Sequence, residues 1–255
     1  MMELLLQDDA PWKRRFRLPR IIVDFAENNP GRSLVTSNQG GKYELYAYDV
    51  GTDRLRQATH RPSGTVYGSI SPDGAHIYYM DDKEGNETGH IVRVPFEGGK
   101  APQDMTPGMP DYTLVQPSVD GVSAHLGITI PGPEGFDSYI VDIVGGEPMK
   151  ERMINRSKKT AFGPVFSHDG KVSIVGSTER FGGLDYTMTS FDSATGRKLL
   201  ELADESSRVE PAEFAPLAGD HRVLAMSNKT GVMRPLIWDP EQGTRIDLDV
   251  GSLEG

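Results

Sequence analysis

The sequence predicts an all-β protein, a β-propeller made of four-stranded antiparallel blades, and three observations carry that expectation. A grammar of four short β-rich runs and three turns recurs along the chain with a WD40-like repeat length of about 40–50 residues. Similar turn tetrads stand at corresponding places, as in Ser71-Pro72-Asp73-Gly74 and Ser167-His168-Asp169-Gly170. The 29 glycines and 18 prolines suit a chain made of turns, and no helix-period segment stands out beyond residues 1–9.

Residues 1–19 precede the repeats as an N-terminal arm. Within it Trp12-Lys13-Arg14-Arg15-Phe16-Arg17 alternates aromatic and basic character. Trp12 and Phe16 are expected to pack on the body while the charges stay in water.

The propeller is expected over 20–255, with blades at about 20–59, 65–106, 112–155, 161–203 and 209–250. The second is the clearest. Its first strand is expected over Thr65–Ile70, and the runs His76–Met80 and His90–Val94 are rich in β-branched and aromatic residues, which suit a pleated, half-buried surface. In the turn between the first strand and the His76–Met80 run, Pro72 presets φ, Asp73 bonds its own backbone, and Gly74 takes φ > 0 without a Cβ clash. The corresponding turns are expected to open at Asn28, Ser71, Ser118, Ser167 and Pro216, spaced 43, 47, 49 and 49 residues apart. The first is expected as Asn28-Asn29-Pro30-Gly31, and the third as Ser118-Val119-Asp120-Gly121. Inner strands are expected at Ile21–Phe25, Val66–Ile70, Leu114–Val119, Phe162–Phe166 and Pro211–Phe214. Asp49, Asp142, Asp192 and Asp239 close third strands, where an Asp before a glycine-containing turn caps it locally.

Composition narrows the function classes. A net charge of −10 argues against general nucleic-acid binding. No run approaches the roughly 18 apolar residues of a membrane helix, so no membrane partner is expected. There is no cysteine, hence neither a disulfide framework nor a thiolate metal site. The N-terminus lacks a basic secretory n-region. These features together predict a cytoplasmic protein.

Chemistry-bearing motifs are sparse. No Gly-x-Ser-x-Gly elbow, His-Glu-x-x-His, Walker loop or dinucleotide fingerprint occurs. Asp81–Glu87 is acidic but lacks the glycine and closing glutamate of a calcium loop, and is expected as a solvated hairpin. Of the six histidines, His76, His125 and His221 stand near second-strand starts, and His168 replaces a turn proline. Repetition alone explains that placement. No catalytic, cofactor-binding or metal-ligating residue is assigned.

One resemblance is carried by motifs in order: Ala10-Pro11-Trp12-Lys13 with Arg15-Phe16-Arg17, Leu45-Tyr46-Ala47-Tyr48-Asp49, Ile70–Gly74, and His90-Ile91-Val92-Arg93-Val94-Pro95-Phe96-Glu97-Gly98-Gly99. In this order they resemble the N-terminal propeller of serine peptidases of the prolyl oligopeptidase family, in particular the acylaminoacyl-peptidase-like branch. The resemblance runs from about Ala10 to Gly255 and is most specific in the first two blades.

It implies a non-catalytic propeller that gates short peptides and docks on an α/β-hydrolase domain, which would supply the Ser-Asp-His triad. It also implies a ring of about six to eight blades, of which five are visible here. Two alternatives stay open. One is a stand-alone propeller acting as a protein-interaction scaffold of the Tol-system type. The other is a five-bladed glycoside hydrolase, for which the expected inner strands offer only Asp24 and Glu213.

Overall fold

Strands with apolar side chains on both faces bury them only by stacking sheet on sheet. The computed structural model of the chain builds five such sheets in sequence order. It describes residues 10–14, 18–113, 117–205 and 207–251. The expectation of a helix at residues 1–9 and the expected packing of Phe16 fall outside them. Within the arm, one helical turn, α1 (Pro11–Arg14), is present. Trp12 stays 41% exposed, with the Lys13 ammonium 5.6 Å from its ring centre, and Ala10 is buried.

Blade 1 contains β1 (Ile21–Ala26), β2 (Asn29–Ser37), β3 (Glu44–Asp49) and β4 (Arg54–Gln57). Blade 2 contains β5 (Gly68–Ile70), β6 (His76–Asp82), β7 (Thr88–Pro95) and β8 (Gln103–Asp104), with β9 (Tyr112–Thr113) also pairing β7. Blade 3 contains β10 (Ser118–Val119), β11 (His125–Gly132), β12 (Gly135–Val144), β13 (Glu147–Pro148) and β14 (Arg152–Ser157), the last two both pairing β12. Blade 4 contains β15 (Ala161–Phe166), β16 (Val172–Ser177), β17 (Thr187–Asp192) and β18 (Lys198–Leu202). Blade 5 contains β19 (Val209–Phe214), β20 (Val223–Ser227), β21 (Arg234–Trp238) and β22 (Arg245–Asp247). All pairs are antiparallel meanders, as in Leu34↔Ala47 and Tyr79↔Val92. First strands touch between blades 1 and 2, β1 with β5, and between blades 3 and 4, β10 with β15, which places these strands innermost.

Among the described residues the core is four separate layers, each between two consecutive blades. Leu34, Leu45 and Ala47 of blade 1 meet Ile77, Tyr79, Val92 and Phe96 of blade 2. On the other face of the same sheet, Tyr78, Met80 and Ile91 meet Leu126, Ile128 and Val141 of blade 3. The period-two alternation of β6 therefore serves two cores at once. Ile140 and Ile154 pack on Phe166, Val175 and Phe191, and Ile174 and Met188 pack on Val223, Leu236 and Trp238. Each fully buried Ile or Leu contributes roughly 1.5–3 kcal/mol over an exposed one. The far face of blade 5 has no such layer among the described residues. Leu224 and Ile246 are 39% and 57% exposed there, and on β1 Ile21 and Phe25 are 63% and 61% exposed.

A second set of contacts ties each blade's rim to the next blade's third-to-fourth-strand turn. Arg56 donates to Phe96 O, Arg93 to Gly146 O, Arg152 Nη1 to Ser193 O at 2.6 Å, and Ser190 Oγ to Pro240 O at 2.8 Å.

Several boundaries differ from the sequence-based expectation, each for a local reason. Thr65–Tyr67 is not strand, because Thr65 N donates to Tyr43 O of blade 1 at 2.7 Å. Gly64 makes that detour with φ +82°, and a Cβ there would lie 2.6 Å from Tyr43 O. The first turn is Glu27-Asn28, and Asn29, Pro30 and Gly31 continue as β2. Tyr112–Thr113 belongs to blade 2 rather than blade 3, and residues 114–116 of the expected inner strand lie outside the described residues.

The third turn is two residues later than expected. Ser118 lies in β10, and Asp120 takes the place of Ser71 and Ser167. Asp120 N donates to His125 O, as Ser71 N does to His76 O and Ser167 N to Val172 O. In the Ser71 turn, Ser71 Oγ accepts from His76 N at 2.9 Å and Asp73 Oδ1 from Ala75 N at 2.9 Å. In the third turn a single carboxylate does both. Asp120 Oδ1 accepts from Ala124 N at 2.6 Å and His125 N at 3.0 Å. The glycine position is filled by Ser123 at φ 58°, its hydroxyl buried without a partner among the described residues.

Ser123→Gly removes both the left-handed strain and the unpaired hydroxyl, and is expected to raise stability by about 1 kcal/mol. Asp120→Ala leaves two part-buried N–H groups unpaired and is expected to cost about 1–2 kcal/mol. Urea denaturation of the two variants beside the parent chain checks both signs.

Candidate functional site at the two ends of the axis

The two ends of the stacked blades differ in chemistry. At one end the first-to-second-strand turns of all five blades gather. Asn28 of blade 1 donates its backbone N–H to Pro72 O at 2.8 Å and its Nδ2 to Gly121 O at 2.6 Å, tying blades 1, 2 and 3 together. Asn29 Nδ2 donates to Asp73 O at 3.3 Å. Glu27 Oε1 lies 3.9 Å from Nδ1 of His168 in blade 4. These side chains tie the turn end together.

Blades 4 and 5 are pinned there by an acid–imidazole–acid chain. His221 lies between Asp169 of blade 4, 3.1 Å from its Nε2, and Glu241 of blade 5, 2.6 Å from its Nδ1. Burial alone would lower the His221 pKa, but hydrogen bonds to Glu241 and Asp169 outweigh it and hold the imidazole above its ordinary value. Burial likewise pushes Asp169 up, and bonds from His221, Lys171 and Ser167 bring it well below the usual carboxylate range. His90 and His125 stand in similar surroundings, His90 Nδ1 2.8 Å from Asp104 and His125 Nδ1 2.8 Å from Asp120. Sequence reasoning located these histidines but not their partners, which lie up to 52 residues away.

At the opposite end, where β5 begins and β6 finishes, a cavity of about 190 Å³ opens between Thr65, Val66, Tyr67, Met80, Asp82 and Glu87. Tyr67 is 69% exposed beside it. Glu44 is buried nearby and accepts from Thr59 Oγ1 at 2.6 Å and Arg61 N at 3.0 Å. The Arg61 guanidinium pairs with Asp81 and with Asp82, the latter at 2.6 Å. Of the acidic run expected as a hairpin loop, Asp81 and Asp82 instead finish β6 and pair with β7, and residues 83–87 form the loop, held by Arg61 at its base and by Asn86 Oδ1, which accepts from Lys83 N at 3.2 Å. This mouth offers an aromatic ring, apolar surface and carboxylates.

Expected turn caps at Asp49, Asp192 and Asp239 are present. Asp49 Oδ1 takes Thr52 N and Oγ1, both at 2.8 Å, and Asp192 Oδ1 takes Thr195 in the same way. Asp142 departs from the pattern and pairs with Arg152 at 3.0 Å. Asp24 and Glu213 stand on β1 and β19, at opposite ends of the blade series, and both are exposed. Among the described residues no Ser or Thr hydroxyl bonds a histidine ring, and no group of three His, Asp or Glu side chains is placed to hold a metal ion.

The His221 pin gives a pH signature. A raised histidine pKa stabilises the fold fully below about 6.5 and loses that contribution as pH rises through the folded value. The depressed Asp169 acts at the other end, stabilising above the usual carboxylate range and failing only in strong acid. The melting temperature is therefore expected to fall from pH 6 to pH 8.5 with a component that His221→Gln abolishes; an identical slope in the variant would remove His221 as its source.

No protein-family model and no curated protein sequence matches the chain. Solved structures do. A prolyl endopeptidase matches with TM-score 0.67 and 14% identity over 91% of this chain and 36% of its own. An oligogalacturonate lyase from Vibrio parahaemolyticus matches with TM-score 0.65 and 14% identity over 89% of this chain and 66% of its own. TolB from Acinetobacter baumannii matches with TM-score 0.60 and 15% identity over 90% of this chain and 54% of its own. The chain thus spans about half of TolB and about a third of the endopeptidase. At such identities the likeness establishes the fold, a β-propeller shared with prolyl peptidases, TolB-like proteins and oligogalacturonate lyases.

Proposed function

We propose that this chain is the propeller portion of a serine peptidase of the prolyl oligopeptidase type, gating short peptides and docking on an α/β-hydrolase domain. The observation that carries the proposal is the exposed apolar surface at blade 5. Leu224 and Ile246 stand exposed on its far face, and Glu213, Phe214, Pro216, Leu224 and Ile237 line a mostly apolar hollow of about 340 Å³ there. Surface of this kind is expected to be covered by more protein, consistent with about six to eight blades in a complete ring. The ordered motifs in blades 1 and 2 favour the peptidase over the lyase and TolB types.

In this reading the laced turn end of the axis stays shut. Peptides would pass by the opposite mouth, where Tyr67 and the carboxylates Asp82 and Glu87 meet them. The nucleophile, its base and the oxyanion hole would come from the hydrolase domain, and the propeller would act by exclusion.

The test sets the 255-residue chain beside the natural gene product, comparing mass, labelling by a fluorophosphonate serine probe, and hydrolysis of acyl-amino-acid and aminoacyl chromogenic substrates. The chain alone is expected to be inert, and the natural product to be larger, labelled and active. A natural product of 28.0 kDa that takes no label would overturn the proposal and leave the interaction-scaffold reading in its place.

A further inference from the structure

The seam between blades 2 and 3 holds a buried cation that no acid answers. Arg93 on β7 is 5% exposed. Its Nε donates to Gln103 Oε1 at 2.9 Å, its Nη1 to Tyr78 Oη at 3.4 Å, and its Nη2 to Gly146 O. All three acceptors are neutral, and among the described residues no carboxylate pairs with it. The comparable strap one blade on is built differently, since Arg152 has the Asp142 carboxylate at 3.0 and 3.2 Å. Arg56, the strap one blade before, is only part-buried. Burying a guanidinium without a counter-charge is costly, and three bonds use only part of its five N–H donors.

Arg93 lines a cavity of about 320 Å³, with His76, Lys100, Gln103, Gly146 and Glu147 among its walls. The volume suits a small organic ligand. Glu147 is the acid on the wall, and its Oε2 is taken by Gln103 Nε2 at 2.8 Å. His76 is half-buried, and burial followed by the charges of Arg93 and Lys100 holds it below its ordinary pKa, with Asp73 opposing. The cavity is therefore positive, polar and enclosed on the side where the guanidinium sits.

We infer that this cavity is a binding site for a small oxyanion, a carboxylate or phosphate group, with Arg93 as its buried charge and Lys100 and His76 at its mouth. Arg93 would then be both strap and receptor. A guanidinium suits either group, because its N–H donors match planar and tetrahedral oxyanions alike. The site lies at the rim seam between two blades, away from the axial mouth, and it does not depend on the peptidase reading.

Isothermal titration calorimetry of the full chain at low salt, with inorganic phosphate, acetate and citrate as probes, tests the site. Saturable binding of at least one probe is expected, weakened about tenfold or more by Lys100→Glu. Lys100 is exposed in a loop, so that variant leaves the Arg93 strap and the fold in place. His76→Gln should weaken binding severalfold, while Lys171→Glu on blade 4 should not change it. Binding of phosphate alone identifies a phosphorylated ligand, and binding of acetate or citrate alone identifies an organic acid. No saturable binding of any probe up to about 10 mM, or an unchanged affinity in Lys100→Glu, overturns the inference.

Discussion

A four-stranded sheet cannot hide both of its faces by itself, and the rest of this structure follows from that constraint. Each blade uses the even and odd positions of its strands for different neighbours, as Ile77 and Tyr79 do towards blade 1 while Tyr78 and Met80 serve blade 3. The protein therefore has four cores joined in series rather than one centre. Stability in such a stack is close to a sum over neighbouring interfaces. A cavity made at Ile174 should weaken the seam between blades 4 and 5 and hardly touch that between blades 1 and 2.

Apolar burial sets the distance between blades but does not fix their rotation about the axis. Directional polar contacts do. The carbonyls of Phe96, Gly146, Ser193 and Pro240 each accept from a side chain of the preceding blade, so the rim is stitched with one polarity. At the axis, Asn28 joins three blades and His221 joins two. The turns that receive these groups, carrying Pro72, Gly121 and Asp169, are tied to their own backbones by Ser71, Asp120 and Ser167. Local turn chemistry thus aims the groups that hold blade to blade.

Much of this was legible in the sequence, because turn signals and strand alternation are local. Five blades, their order and the turns at Ser71 and Ser167 follow from residues within a few positions of one another. What escaped was decided at a distance. The shift from Ser118 to Asp120 was hidden because Ser118-Val119-Asp120-Gly121 imitates the Ser-x-Asp-Gly pattern, while the residue that closes the true turn, Ser123, is not a glycine. The loss of strand at Thr65 depends on a carbonyl of blade 1. The mouth at Tyr67 could not be inferred either, since its shape comes from that detour.

Function is read less from this fold than from where the regular pattern of satisfaction breaks. Other buried charges are answered: Asp137 by Arg156, and Asp204 by Arg245. Interior sheet faces are likewise covered by the next blade. Among the described residues, two kinds of place stand outside that pattern: the guanidinium of Arg93, and the uncovered apolar surfaces of the far face of blade 5 and of β1, where Ile21 and Phe25 are exposed. They differ in kind: a charge facing neutral acceptors calls for a small ion, whereas exposed Leu224 and Ile246 call for extended apolar surface. A bound anion would leave the blade 5 face as it is, and a further blade would leave Arg93 as it is. The two are therefore independent consequences of one architecture, and neither follows from the turns and strands that make the propeller recognisable.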